Sequence, residues 1–267
     1  MHRLMIGSCN DSLLFPWAIQ DLADDIEQVP LDLDGYFGLA IVMEREIVLS
    51  KRPVSSGFRL IPVLSDMHTN LFMVGHESGN TAAFNGSRTL PTRYRDWIFG
   101  LSGDVPDELC NPESKLVQDV PDFLKPLSQS NFHGANIFAW ALSTLYRNGL
   151  LDIKSNLKNR CLHALSNGIA QLRDRSGIQA LPFTFAISNR EYALGFAGES
   201  GLNQLTQSGL VRTREEPGSQ IREDHHEHIR SIILASTPEI LPAPWTPLGA
   251  NQCFVINSKA TLDTIPA

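Results

Sequence analysis

His2 beside Arg3, the run Gly75-His76-Glu77-Ser78-Gly79, the dipeptide Asn85-Gly86 and His133 in Phe132-His133-Gly134-Ala135 are where this sequence sets proton carriers near hydrogen-bond donors. Imidazoles exchange protons near neutral pH, and an Asn amide or a backbone N–H can stabilise an oxyanion. If His2, His76 and His133 converged on Asn85-Gly86, the product would be an acyl-transfer or amide-hydrolysis site. Each residue also has a plainer role. A histidine opening a strand, with no other ligand nameable, reads as a partly buried side chain, and Asn-Gly is the commonest tight-turn dipeptide.

Two further groups stand apart. Glu223-Asp224-His225-His226-Glu227-His228 packs imidazoles and carboxylates together. On a strand His226 and His228 would share a face, and on a helix His225 and His228 would. With no distant third and fourth ligand, the cluster reads as a solvated loop end, and neither a metal nor a cofactor is expected. Arg88, Arg93 and Arg95 with Tyr94 form a small basic and aromatic patch, which could meet an anion or an acidic partner but reads as a solvated turn. Cys9, Cys110, Cys161 and Cys253 include no C-x-x-C pair and read as reduced thiols, Cys161 as core packing. The four tryptophans share no spacing that would make a ring-binding platform.

The elements that must position these residues follow from periodicity. A strand is expected over Arg3–Ile6, ended by Gly7. A helix follows over Leu13–Ile26, with Asp11 or Ser12 as its cap and Pro16 in its first turn. Tyr36–Met43 and Glu46–Ser50 predict a hairpin, and Leu71–Val74 a strand. Gly100–Ser130, rich in proline and aspartate, reads as an irregular excursion or partner-binding lobe. Two core-facing helices come next, one from Ile137 and one through Leu157–Leu172. Strands at Phe183–Ile187, Tyr192–Phe196, Ser231–Ala235 and Cys253–Asn257 complete an α+β order with antiparallel hairpins.

Composition sets the outer bounds. The chain has 267 residues, 42% of them apolar and 19% charged, with a net charge of −7. That balance lacks the basic stripe that phosphate binding needs, so no nucleic-acid partner is expected. No apolar run approaches the roughly 20 residues of a membrane helix, so no membrane partner is expected either. The first ten residues are broken by Gly7 and Asn10 and do not read as a secretory signal, so the expected location is the cytoplasm.

The order of five local motifs resembles the class II glutamine amidotransferases, which are N-terminal-nucleophile hydrolases. The motifs are Met1-His2-Arg3-Leu4, Asp34-Gly35-Tyr36-Phe37-Gly38-Leu39-Ala40, Asn85-Gly86, the helix from Ile137, and Ala235-Ser236-Thr237-Pro238 before Trp245. The resemblance implies a four-layer αββα sandwich of antiparallel sheets flanked by helices, one domain over residues 1–267 with an irregular insertion near 100–130. It also implies hydrolysis of glutamine to glutamate, with the ammonia passed to an acceptor domain or partner.

The family's chemistry needs a cysteine directly after the initiator Met, whose freed α-amine is its own general base. Here that residue is His2, and a Met followed by so large a residue is not efficiently removed. Cys9 lies at or beyond the first strand's end and cannot take the same place. The family's carboxylate-holding Arg, one residue past a strand-end His, is replaced by Glu77 or Ser78. Its Asp-Ser-Glu helix opening is matched to Phe132-His133-Gly134-Ala135, which has no carboxylate. Asn85 and Gly86, the family's oxyanion donors, and Arg3 persist, while the shortened Gly79–Phe84 loop leaves the pocket more open.

The implied reading is a protein without glutaminase activity, its degenerate catalytic positions being His2, Asn85 and Gly86. Arg3, His76, Ser78 and His133 remain as ligand-binding candidates. Such a protein would serve a synthase-like or amidotransferase-related subunit, or a homo-oligomer, as subunit, scaffold or regulator. The alternative is an active amidotransferase or amide hydrolase with altered catalytic residues.

Overall fold

A computed structural model describes residues 2–267 apart from 31–33, 45, 56, 80–83, 112–114, 152–157, 200, 211–226, 238 and the side chain of Lys115. In chain order the elements are β1 (His2–Cys9), α1 (Phe15–Asp21), α2 (Ala23–Ile26), β2 (Gly35–Met43), β3 (Glu46–Val54), α3 (Leu60–Ser65) and β4 (Leu71–Ser78). There follow β5 (Thr92–Tyr94), β6 (Trp97–Gly103), α4 (Asp107–Cys110), α5 (Lys115–Gln118), a 3₁₀ turn (Asp122–Leu124), α6 (Lys125–Ser128), α7 (Ala135–Arg147) and α8 (Lys158–Ser176). The chain closes with β7 (Phe183–Ser188), β8 (Tyr192–Ala197), β9 (Leu202–Ser208), β10 (Arg230–Ala235), β11 (Thr246–Leu248), β12 (Gln252–Asn257) and β13 (Leu262–Pro266).

The strands form two sheets, ordered β11-β9-β10-β1-β4-β2-β3 and β13-β12-β8-β7-β6-β5. Every pairing among them is antiparallel. Strand alternation divides the core among layers. Leu4, Ile6, Ala40, Met73 and Phe254 fill the space between the sheets. Met5, Phe37, Leu39 and Val74 face the other way, onto Phe15, Ile19 and Leu64 of α1 and α3. Beyond the second sheet, Phe99, Phe185 and Phe196 meet Phe138, Leu142 and Leu165 of α7 and α8. The expected αββα sandwich is thus observed.

Local chemistry explains most of the boundaries. Asp11 Oδ1 accepts from the Leu13 and Leu14 N–H groups ahead of α1, and Pro16 sits in its first turn. The continuous helix expected to Ile26 breaks at Leu22, whose backbone (φ −93°, ψ 7°) is not helical. The Gly100–Ser130 excursion is more ordered than its composition suggests. It starts inside β6 and then folds as short helical turns against α7, with Leu109, Val120, Leu124 and Leu127 all buried. The expected hairpin extends to Val54, because β3 is an edge strand where Lys51, Arg52 and Pro53 can face outward.

Two glycines set how a neighbouring segment lies on the first sheet. A Cβ at Gly75 would stand 2.6 Å from the Leu90 carbonyl oxygen, and one at Gly38 would be closer still. The backbone leading out of Asn85-Gly86 therefore rests directly on β2 and β4. Gly38→Ala or Gly75→Ala should lower stability by about 1–3 kcal/mol through overpacking, seen as a reduced urea midpoint at unchanged m-value.

Candidate functional site

On β1 and β4, His2 lies opposite Glu77 and Arg3 opposite His76. Alternation sends His2 and Glu77 off the same face as Leu4 and Met73, toward the second sheet. There the His2 ring stacks on His133, which precedes α7, with centroids 4.7 Å apart and planes within 6°. Ser102 of β6 donates a 2.8 Å hydrogen bond to the His2 carbonyl, so a bond between the sheets fixes this end of β1. His2, Glu77, His133, Arg88, Cys110 and the start of α7 line a cleft of about 860 Å³.

The α7 end of the cleft is built around Gly134, which takes the left-handed φ of 85° that caps the helix and lies over the Phe99 ring. Asn136, the second residue of α7, donates from its amide to the carbonyls of Leu109, Cys110 and Asn111 at 3.0, 2.8 and 3.4 Å. This pins the Asp104–Asn111 wall onto α7. The sequence singles out Arg88 as part of the basic patch and Cys110 only as a reduced thiol, and places neither in a cleft; Asn136 belongs to no motif and gives no signal.

Burial shifts two ionisable groups of the cleft toward their neutral forms. Burial lowers the His2 pKa from 6.5 to about 4, and the neighbouring His133 acts in the same direction. Burial also raises the Glu77 carboxyl above its ordinary range. Glu77 Oε2 lies 3.8 Å from His2 Nδ1, beyond hydrogen-bond reach, and with the imidazole neutral the two form no ion pair at pH 7. Stacked rings aim their in-plane lone pairs along parallel lines rather than at one ion. Among the described residues no group of three His, Cys, Asp or Glu side chains is placed to hold a metal.

The other candidates are distributed elsewhere. His76 and Arg3 leave β4 and β1 on the face of Met5 and Val74, so the convergence of three histidines required for an imidazole-based site does not occur; only His2 and His133 meet. Arg3 is buried, with Nε and Nη1 lacking hydrogen-bond partners among the described residues. Ser78 ends β4 opposite Gly35. Asn85 Oδ1 accepts from the Ser87 N–H and hydroxyl at 3.0 and 2.7 Å, and the Gly86 carbonyl accepts from Lys51 Nζ at 2.9 Å. The dipeptide thus makes the tight turn that carries Arg88 into the cleft.

The arginine patch divides. Arg93 bonds the Ile47 and Arg95 carbonyls, and Arg95 lies over Tyr94 and Phe123. His225 and His226 lie outside the described residues, and His228 is exposed, its carbonyl accepting from Asn10. Cys9 is buried at the far end of β1, roughly 23 Å from His2 at strand rise, with its thiol pushed up to about 11.

The His2 shift has a pH consequence. The unfolded chain protonates this imidazole near 6.5 and the folded chain only near 4, so between those values the unfolded state binds more protons. Stability from this group is complete above about pH 6.5 and is lost as the pH falls toward 4, by an amount on the order of 2–3 kcal/mol. Urea unfolding at about pH 7 and about pH 4 should show a smaller acid loss in His2→Asn than in the parent protein.

No protein-family model and no curated protein sequence matches this chain. Among solved structures it is similar to a glutamine aminotransferase class-II domain protein from Silicibacter pomeroyi, at 14% identity and a TM-score of 0.53, covering 100% of this chain and 99% of that one. It is also similar to a predicted glutamine amidotransferase from Pseudomonas aeruginosa PA01, at 14% identity and a TM-score of 0.55, covering 100% and 96%. A third is an allosteric regulatory enzyme of purine biosynthesis, at 11% identity and a TM-score of 0.53, where the match covers 100% of this chain but 49% of the other. At these identities the likeness is one of fold, and the fold is that of the glutamine amidotransferase-like, N-terminal-nucleophile hydrolase proteins.

Proposed function

We propose that this chain is a glutamine amidotransferase-like protein that does not hydrolyse glutamine and acts as a subunit, scaffold or regulator of a partner enzyme. The observation that carries the reading is the imidazole at the start of β1. In the resembled family this position is a thiol beside its own α-amine; here it is His2, neutral and stacked on His133. None of the chain's four thiols is a substitute. Burial is the largest influence on Cys9, Cys110, Cys161 and Cys253, and it raises every one of them, opposing the thiolate that nucleophilic attack needs.

Substrate recognition has changed as well. Where the family holds the glutamine carboxylate with a guanidinium, this chain has Glu77 and Ser78, and a carboxylate facing a carboxylate repels it. The partner role rests on the resemblance, in which the ammonia-producing fold works beside an acceptor. It is also consistent with the purine-biosynthesis enzyme, where this fold accounts for about half of a longer chain. A second reading, an amide hydrolase with altered residues, is favoured by one observation: His2, His133 and Glu77 border the same cleft.

Ammonia release from glutamine, followed with a coupled glutamate dehydrogenase assay, should be absent from the protein and should not appear in His2→Cys, because Glu77 and Ser78 stand where the resembled family has its carboxylate-holding Arg. Turnover of glutamine or a simple amide that is lost in His2→Gln would favour the second reading and overturn the first. Copurification of the intact protein with a synthase-like subunit is the expected sign of the scaffold role.

A further inference from the structure

A second cavity, of about 340 Å³, lies on the outer helical layer between α7, α8 and the folded excursion. Its volume is in the range of small-molecule sites, roughly 300–1,000 Å³. Leu109, Leu116, Trp140 and Leu172 supply apolar wall. At its rim stand Arg147, at the end of α7, and Arg175, at the end of α8. Both point at one residue: Arg175 pairs with the Asp119 carboxylate, and Arg147 donates to the Asp119 carbonyl.

A guanidinium carries five N–H donors in a fork that suits a carboxylate. Two of them gathered on a single Asp leave donors available at the mouth of a cavity with an aromatic wall. Glu108 and Asp119 also line the cavity, so its charges balance in sign and disfavour a dianion or a phosphate.

We propose that this cavity binds a small aromatic monocarboxylate, its ring against Trp140 and the leucines and its carboxylate on Arg147 and Arg175. The site is separate from the His2 cleft and does not depend on the proposed function. Leu109 belongs to the wall of both, and the two linings share no other residue.

The test is calorimetric titration of the full-length protein with 3-phenylpropionate and, in parallel, with its neutral analogue 3-phenylpropanamide. Saturable binding of the carboxylate is expected, with the amide about tenfold weaker. Arg147→Met should cost the carboxylate a similar factor and leave the amide unchanged. Gln171→Trp, at an exposed position on the rim, should block both compounds without altering the thermal unfolding midpoint. Absence of saturable carboxylate binding, equal affinity for the amide, or full binding to a folded Gln171→Trp protein would each overturn the proposal.

Discussion

The antiparallel pairing of β1 with β4 on one side and β10 on the other is the constraint on which the rest depends. β1 is central in its sheet and buried on both faces, so its alternate residues belong to different cores. Leu4 and Ile6 help close the space between the sheets, while Met5 and Cys9 seat the α1 layer. The register at the strand's first residues is held from three directions. Glu77 and His76 stand opposite, Ser236 exchanges hydrogen bonds with Leu4, and Ser102 reaches across from the second sheet. A slip of one residue would put a guanidinium into the cleft in place of an imidazole and bury His2 beneath the outer helices.

That parity explains what could and could not be read from the residues alone. The hairpins, the two long helices and the layered α+β order were legible because their periodicities are strong and long. β6 was obscured by Gly100 and Gly103, which look like breakers in isolation. Gly100 is there because Leu4 and Met73 press on it from the facing sheet, a long-range demand with no local signature. The meeting of His2 with His133 is raised by the sequence as a condition for an imidazole-based site, but its stacked geometry joins residues far apart in sequence and has no local signature. His76 does not join them, since adjacent residues on a strand face opposite ways and Glu77, not His76, pairs with His2.

The cleft at the start of β1 joins residues from both sheets and from α7. Its walls are fixed by backbone devices: the Asn85 turn, the left-handed Gly134 and the Asn136 amide shared among three carbonyls. Its ionisable groups are pushed toward neutrality, the imidazole downward and the carboxyl upward, both mainly by removal from water.

Leu109 lines both the cleft and the helical-layer cavity, while Asn136 holds its carbonyl. Its backbone is fixed to α7, so the two linings share one anchored residue. A substitution at this one position therefore reshapes two linings at once.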